Sequence, residues 1–168
     1  MIKLTDLLKE VKDQKYTIYC DLDGVLVDFD KGYKDLTGMT TQEANSQGDK
    51  VFWEPIKKAG EKYWVDLEWM PKGKQLWNYI KQYNPKLLSA PSREKSSRTG
   101  KQKWVDNNLP GVKLILANAV DKQNYSGENQ ILIDDREKNI EQWRSKGGTG
   151  ILHTSTEDTI KQLKELGL

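Results

Sequence analysis

Asp21 and Asp23, one residue apart and followed by Gly24, close a short apolar run from Thr17 to Cys20. Two carboxylates so placed can share a divalent cation, or divide labour as nucleophile and proton carrier. The glycine after them permits a sharp backbone turn. A second acidic pair, Asp134 and Asp135, closes the run Ile131-Leu132-Ile133, and Ser89 closes Lys86-Leu87-Leu88. Lys122 stands in a loop, Val120-Asp121-Lys122. If these runs are strands of one parallel sheet, the carboxylates, hydroxyl and ammonium meet at its carboxyl edge, where open α/β sheets place their ligand chemistry. Converging carboxylates repel each other unless a cation sits among them. Only oxygen ligands are on offer, so Mg2+ suits the site and zinc does not. Ser89, Lys122 and the turn amides from Ala90 to Ser92 then form an anion site for a phosphoryl group. A carboxylate facing the phosphorus could attack it in line, which is the logic of an aspartyl-phosphate.

The elements that must position these groups alternate along the chain. An amphipathic helix is expected over Met1–Gln14, with Leu4, Leu7, Leu8 and Val11 on one side. A strand follows from about Tyr16 to Asp21, then a helix from Asp28 to about Leu36 that stops at Gly38. From Met39 to about Met70 the chain turns polar and then aromatic, with Phe52, Trp53, Tyr63, Trp64 and Trp69. Residues 29–70 are therefore expected to form a small helical cap inserted into a single domain, 1–168. After Pro71 come a helix from about Lys72 to Tyr83, the strand Lys86–Ser89, a basic serine-rich loop carrying Arg93 and Arg98, and a helix near Lys101 to Asn108. A strand at Val112–Leu116, the loop with Lys122, and strand Gln130–Ile133 lead to a helix from about Glu137 to Lys146. Strand Gly150–His153 and a helix over Glu157–Leu166, capped by Ser155 or Thr156, end the chain. Such alternation predicts a doubly wound α/β fold with a mostly parallel sheet covered on both faces.

Composition narrows the partners. The chain has 168 residues, 31% charged and 36% hydrophobic, with a formal net charge of +2. That is an ordinary globular balance, with too little net charge to point to long nucleic acid or a membrane surface. The single cysteine, Cys20, excludes an internal disulfide and a multi-cysteine metal site, and reads as core filling. No stretch looks like a signal peptide or a bilayer span, so the reducing cytoplasm is the expected location. The sequence leaves homodimerisation open.

Taken in order, the four motifs resemble those of the haloacid dehalogenase superfamily of phosphohydrolases. The resemblance covers about Tyr16 to Leu152. It implies that Asp21 is the nucleophile and Asp23 the general acid/base. It also implies that Ser89 and the Ala90 amide hold the phosphoryl oxygens while Lys122 balances their charge. The metal would be Mg2+, held by Asp21, the Asp23 carbonyl and Asp134, with Asp135 orienting the metal's waters. Receiver domains of two-component signalling use similar residues in another order, with the acidic pair opening the chain and the lysine near its end. Here Asp-x-Asp comes first and Asp-Asp last.

A narrower resemblance is to the 5′(3′)-deoxyribonucleotidase branch. It rests on Asp21 to Phe29, on Tyr63-Trp64-Val65-Asp66-Leu67-Glu68-Trp69-Met70-Pro71-Lys72-Gly73, on Leu88 to Ser92, on Lys101-Gln102-Lys103-Trp104-Val105 and on Ile133 to Arg136. It implies a small-molecule substrate, a 5′-(deoxy)ribonucleoside monophosphate, whose base stacks on Phe29, Tyr63 and Trp64, with Lys101 a further candidate in the substrate pocket. Two positions depart from that branch: Ala90 replaces a second hydroxyl, and Val120 stands where some relatives carry a basic residue. A sugar phosphate or a nucleic-acid 3′-phosphate remains an alternative substrate, and a phosphoacceptor without turnover an alternative function. His153 reads as structural, and Trp77, Trp104 and Trp143 as core.

Overall fold

Side chains on a strand alternate between the two faces of its sheet, and this chain uses both faces. Ile18 and Cys20, Leu87, Ile131 and Ile133, and Ile151 bury themselves on one side; Tyr19, Leu88 and Leu132 do so on the other. The structure, a computed structural model, describes residues 15–168. The helix expected over Met1–Gln14 lies outside the described residues.

Five strands form one parallel sheet: β1 (Thr17–Cys20), β2 (Lys86–Ser89), β3 (Leu114–Leu116), β4 (Gln130–Asp134) and β5 (Thr149–Leu152), in the order β3-β2-β1-β4-β5. The chain therefore winds outward from β1 through β2 to β3, then returns to place β4 on the other side of β1. Strand order reverses between β1 and β4, and such a switch point opens a crevice at the carboxyl ends of the strands. Register holds the two strands together there, with Cys20 opposite Ile133 and Asp21 N–H bonding Ile133 O at 2.9 Å. The receiver order, 2-1-3-4-5, is a different sheet, and that fold is set aside.

Helices α1 (Phe29–Thr37), α2 (Thr41–Ser46), α3 (Asp49–Ala59) and α4 (Glu61–Val65) follow β1. Then come α5 (Gly73–Ile80), α6 (Lys95–Asn108), α7 (Glu137–Ser145) and α8 (Thr156–Glu165), with short 3-10 turns at Lys81–Tyr83 and Ala119–Tyr125. Leu76 and Ile80 of α5, Trp104 and Val105 of α6 and Leu163 of α8 join the first face of the sheet, while Ile140 and Trp143 of α7 cover the second. Among the described residues no helix is long and apolar enough to cross a membrane.

Two sequence expectations shift. Helix α6 starts at Lys95, six residues before the expected start, and so takes in Arg98. The serines that suggested a loop act locally: Ser97 Oγ bonds Glu94 O at 2.9 Å, and Ser92 Oγ accepts from Glu94 N. Gly100 does not break the helix but brings it close to α4, since a Cβ there would lie 2.5 Å from Trp64 Cβ. The loop holding Lys122 is the 3-10 turn Ala119–Tyr125. Elsewhere Asp28 caps α1 by accepting from Lys31 N–H, and Ser155 caps α8. The chain leaves the first helical group beside the point where it entered: Asp28 N–H bonds Glu68 O, and Met70 N–H bonds Leu26 O, both at 2.8 Å.

Candidate active site

β1 runs out of partners after Asp21, whose N–H makes the last bond to β4, and the chain turns. Leu22 O accepts from the amides of Leu26 and Val27 at 2.8 and 2.9 Å, while Gly24 takes φ +79°. A side chain at Gly24 would be strained by that φ, and its Cβ would sit 2.2 Å from Asp135 Oδ2. Glycine here lets the β1 turn rest directly on the β4 turn. The result brings Asp21, Asp134 and Asp135 together, with one carboxylate oxygen of each within 4.8 Å of the others.

Lys122 reaches into this group from the 3-10 turn. Its ammonium lies 3.1 Å from Asp21 Oδ2 and 2.7 Å from Asp134 Oδ2, and the residue is only 1% exposed. Burial opposes its charge, yet the Asp21 and Asp134 carboxylates outweigh burial and hold its pKa above the ordinary lysine value. Asp134 is fixed by three further hydrogen bonds: from Arg136 N–H at 2.9 Å to Oδ1, and from Asn139 Nδ2 at 3.2 and 3.0 Å to both oxygens. Asp21 Oδ1 accepts from Leu22 N–H at 2.8 Å. Asp135 lies more open, but burial of its carboxyl and the charges of Asp21 and Asp134 push its pKa up to about 7.

Asp23 turns the other way and pairs with Lys101. Lys101 is 3% exposed, donates to Ser89 Oγ at 3.0 Å, and its ammonium lies 5.1 Å from the centre of the Trp64 ring. The helical period explains how a lysine comes to be buried. Ser97, Lys101, Trp104 and Val105 share the inward face of α6. The floor thus holds four carboxylates and two ammonium groups, and charge balance favours a divalent cation at Asp21, Asp134 and Asp135. The donor set is all oxygen, as Mg2+ prefers.

Above the floor opens a cavity of about 860 Å3. Asp21, Asp23, Ala90, Lys122 and Asp135 line it below, and Phe29, Phe52, Trp53 and Trp64 line it on the side of the inserted helices. Of the residues expected from sequence, Asp21, Asp134, Asp135 and Lys122 come together on one side, and Asp23, Ser89 and Lys101 on the other. Tyr63 is the exception. It is 7% exposed, its hydroxyl donates to Phe29 O at 3.3 Å, and it borders a smaller hollow on the far side of α1. Adjacent residues on a helix point about 100° apart; here Trp64 faces the cavity and Tyr63 is turned towards the smaller hollow. Phe52, Trp53 and Asn139 are additions that sequence reasoning missed. The aromatic content of 29–70 signalled the first two; only the contact with Asp134 reveals Asn139.

The five-stranded parallel sheet with its flanking helices is a Rossmann-like α/β fold that other proteins share. No protein-family model matches the chain, and no curated protein matches it in sequence. Solved structures do. A hydrolase from Streptococcus pneumoniae TIGR4 aligns at TM-score 0.54 and 16% identity, covering 92% of this chain and all of that one. A haloacid dehalogenase-like family hydrolase from Streptococcus pneumoniae aligns at 0.53 and 14%, covering 88% and 90%. A "predicted phosphatase" from Clostridium acetobutylicum aligns at 0.54 and 13%, covering 91% and 99%. At these identities the likeness is one of fold.

Proposed function

We propose that this chain is a Mg2+-dependent phosphomonoester hydrolase that works through a phosphorylated Asp21, and that its substrate is a nucleoside monophosphate. The observation that carries the proposal is the division of the floor: Asp21 held with Lys122 and Asp134 on one side, Asp23 held with Lys101 and Ser89 on the other. A phosphoryl group between them meets a nucleophile, a proton carrier, a hydroxyl and two ammonium groups.

Each residue then has one task. Asp21 attacks phosphorus and the bond to the ester oxygen breaks. Asp23, in its protonated form, gives that oxygen its proton, so the alcohol leaves neutral. Water next attacks the phosphorus of phospho-Asp21 while Asp23, now a carboxylate, takes its proton; the P–O bond to Asp21 breaks, phosphate leaves, Asp21 is again a carboxylate and Asp23 again the acid. Ser89, Lys101, Lys122 and the Ala90 amide hold the phosphoryl oxygens. Asp21 and Asp134 would hold Mg2+ with the Asp23 carbonyl, as the family resemblance implies, and Asp135, expected to orient the metal's waters, lies close enough to Asp21 and Asp134 to serve as a ligand itself. When bound, that ion screens charge on the transferring group. Asn139 and Arg136 N–H keep Asp134 oriented for it.

A sugar phosphate would meet the same floor. The aromatic wall favours a nucleoside: Phe29, Phe52, Trp53 and Trp64 offer ring faces and edges to a base, which hydroxyl-rich sugars use less well. The test is phosphate release from 5′- and 3′-mononucleotides, ribo and deoxy, several sugar phosphates and a 3′-phosphorylated oligonucleotide. Each is run with Mg2+ and with EDTA, and beside Asp21→Asn. Release concentrated on nucleotides over sugar phosphates, lost in EDTA and lowered about 10^4-fold or more in the variant, is the expected outcome. Release from sugar phosphates alone would keep the chemistry and replace the substrate. No release, with a lasting phospho-Asp21 after acetyl phosphate, would mark a phosphoacceptor instead.

A further inference from the structure

Arginine is scarce in this chain, four of 27 basic residues, and two of the four line the cavity. Arg93 follows the turn after β2, and Arg136 follows the acidic pair after β4. Both are exposed, and they border the cavity just after β2 and β4, the two strands that flank β1. Among the described residues, neither guanidinium makes a hydrogen bond or lies within ion-pairing distance of a carboxylate. Arg98 sits within α6, and Arg144 is spent on Gly150 O at 2.8 Å. Glu94, next to Arg93, lies 3.7 Å from Lys57 instead. The transferred phosphoryl group does not need these arginines, because the floor already supplies Lys101, Lys122, Ser89 and a cation site. A guanidinium is a planar fork matched to two phosphate oxygens, a task a lysine does less well.

We propose that Arg93 and Arg136 form a second anion station, and that the preferred substrate is a phosphomonoester whose leaving group carries a second phosphate. This rests on the hydrolysis proposed above and extends its substrate from the monophosphate to a nucleotide with a second phosphate. Asp28, Asp30 and Asp49 also line the cavity and disfavour a second phosphate beside them. Room is available, since 860 Å3 is near the top of the usual range of about 300–1,000 Å3 for ligand cavities. The second phosphate can be another monoester, as in a nucleoside bisphosphate, or a diester, as in a short oligonucleotide.

The test separates binding from turnover. Calorimetry on Asp21→Asn protein measures a nucleoside 5′-monophosphate, the matched 3′,5′-bisphosphate and a 5′-phosphorylated dinucleotide. Turnover of all three is measured on the wild type. The expected result is that at least one doubly charged ligand binds about tenfold tighter than the monophosphate, the gain of one or two charge-assisted contacts. Arg93→Gln and Arg136→Gln in the same background each reduce that ratio, Arg93→Lys less than Arg93→Gln, and added salt reduces it further. Which ligand shows the gain identifies the source of the second phosphate. Equal affinities for all three, or arginine variants that leave the ratio unchanged, would overturn the station. If all three are hydrolysed with equal kcat/KM, the hydrolase stands and the station falls. If none is hydrolysed but the affinity ratio persists, the station stands and the hydrolase falls.

Discussion

The floor of the cavity and the wall above it are built on opposite principles. On the floor, Asp21, Ser89, Lys101, Lys122 and Asp134 are each at most 6% exposed. Each is held by a charged or polar neighbour from another part of the chain. On the wall, rings hold rings: Phe29 lies 6.1 Å from Phe52, and Phe52 meets Trp53 edge-on at 4.8 Å. The wall's carboxylates make local bonds at most, Asp28 to its own helix and Asp30 to the Thr41 hydroxyl. A network of buried charges has one satisfied arrangement, because an unpaired member is costly in a low-dielectric interior. A stack of rings with open edges has many near-equal arrangements. The floor can therefore keep one chemistry while the wall is free to change its substrate.

The largest effect should come from removing a charge from the floor. Lys122→Met leaves Asp21 and Asp134 facing each other with no ammonium between them. Breaking a buried pair in this way costs about 3–5 kcal/mol, to be read from urea midpoints in EDTA. Mg2+ should restore part of that loss, since a divalent cation supplies the missing charge, and so should Asp134→Asn in the same background. A change below about 1 kcal/mol would show that the floor is no more constrained than the wall.

Acidity gives a gentler probe of the same network. Asp135 has its pKa raised to about 7 by burial and by Asp21 and Asp134. Without metal, the folded protein holds this proton in the window from about pH 4 to 7, whereas the unfolded chain has released it. Stability must then fall as pH rises through that window, and the full penalty remains above it. Bound Mg2+ relieves the penalty. The rise in Tm produced by Mg2+ should accordingly be larger at pH 8 than at pH 6, and Asp135→Asn should flatten the difference. A rise that does not depend on pH would remove Asp135 from the cation site.

The same contrast explains what the sequence made legible. Asp21, Asp134, Ser89 and Lys122 stand at or just beyond the ends of apolar runs, so period and order were enough to bring them to one edge. The reversal of strand order between β1 and β4, which makes that edge a crevice, comes from pairing across the sheet and leaves no local mark. Lys101 is a pocket candidate only through the family resemblance, since the basic, polar pattern of its helix gives no local sign of burial. Its burial depends on Gly100 admitting Trp64, a contact between segments far apart in sequence. Tyr63 and Trp64 were adjacent aromatics with equal claims until helix rotation sent one to the cavity and the other behind Phe29. Asn139 carries no signature at all, since any amide at that turn of α7 reads as a solvated helix position.

The smallest effect should come from the rim of the wall. Trp53 is 40% exposed and lines the cavity, and among the described residues its ring meets only that of Phe52. Trp53→Ala deletes little buried area, so Tm should move by no more than a degree or two. If a base rests against this ring, its loss should raise KM for mononucleotides about three- to tenfold, the lower end of what one stacked base contributes. The kcat should hold, because the ring takes no part in the transfer at Asp21 and Asp23. Glycerol phosphate, which has no ring to stack, serves as the control and should keep its KM. Equal KM changes for both substrates would mean that Trp53 shapes the entrance and does not recognise the leaving group. A fall in kcat together with Tm would mean that the wall is coupled to the floor through Phe52, Phe29 and Trp64, and the separation of chemistry from specificity would no longer hold.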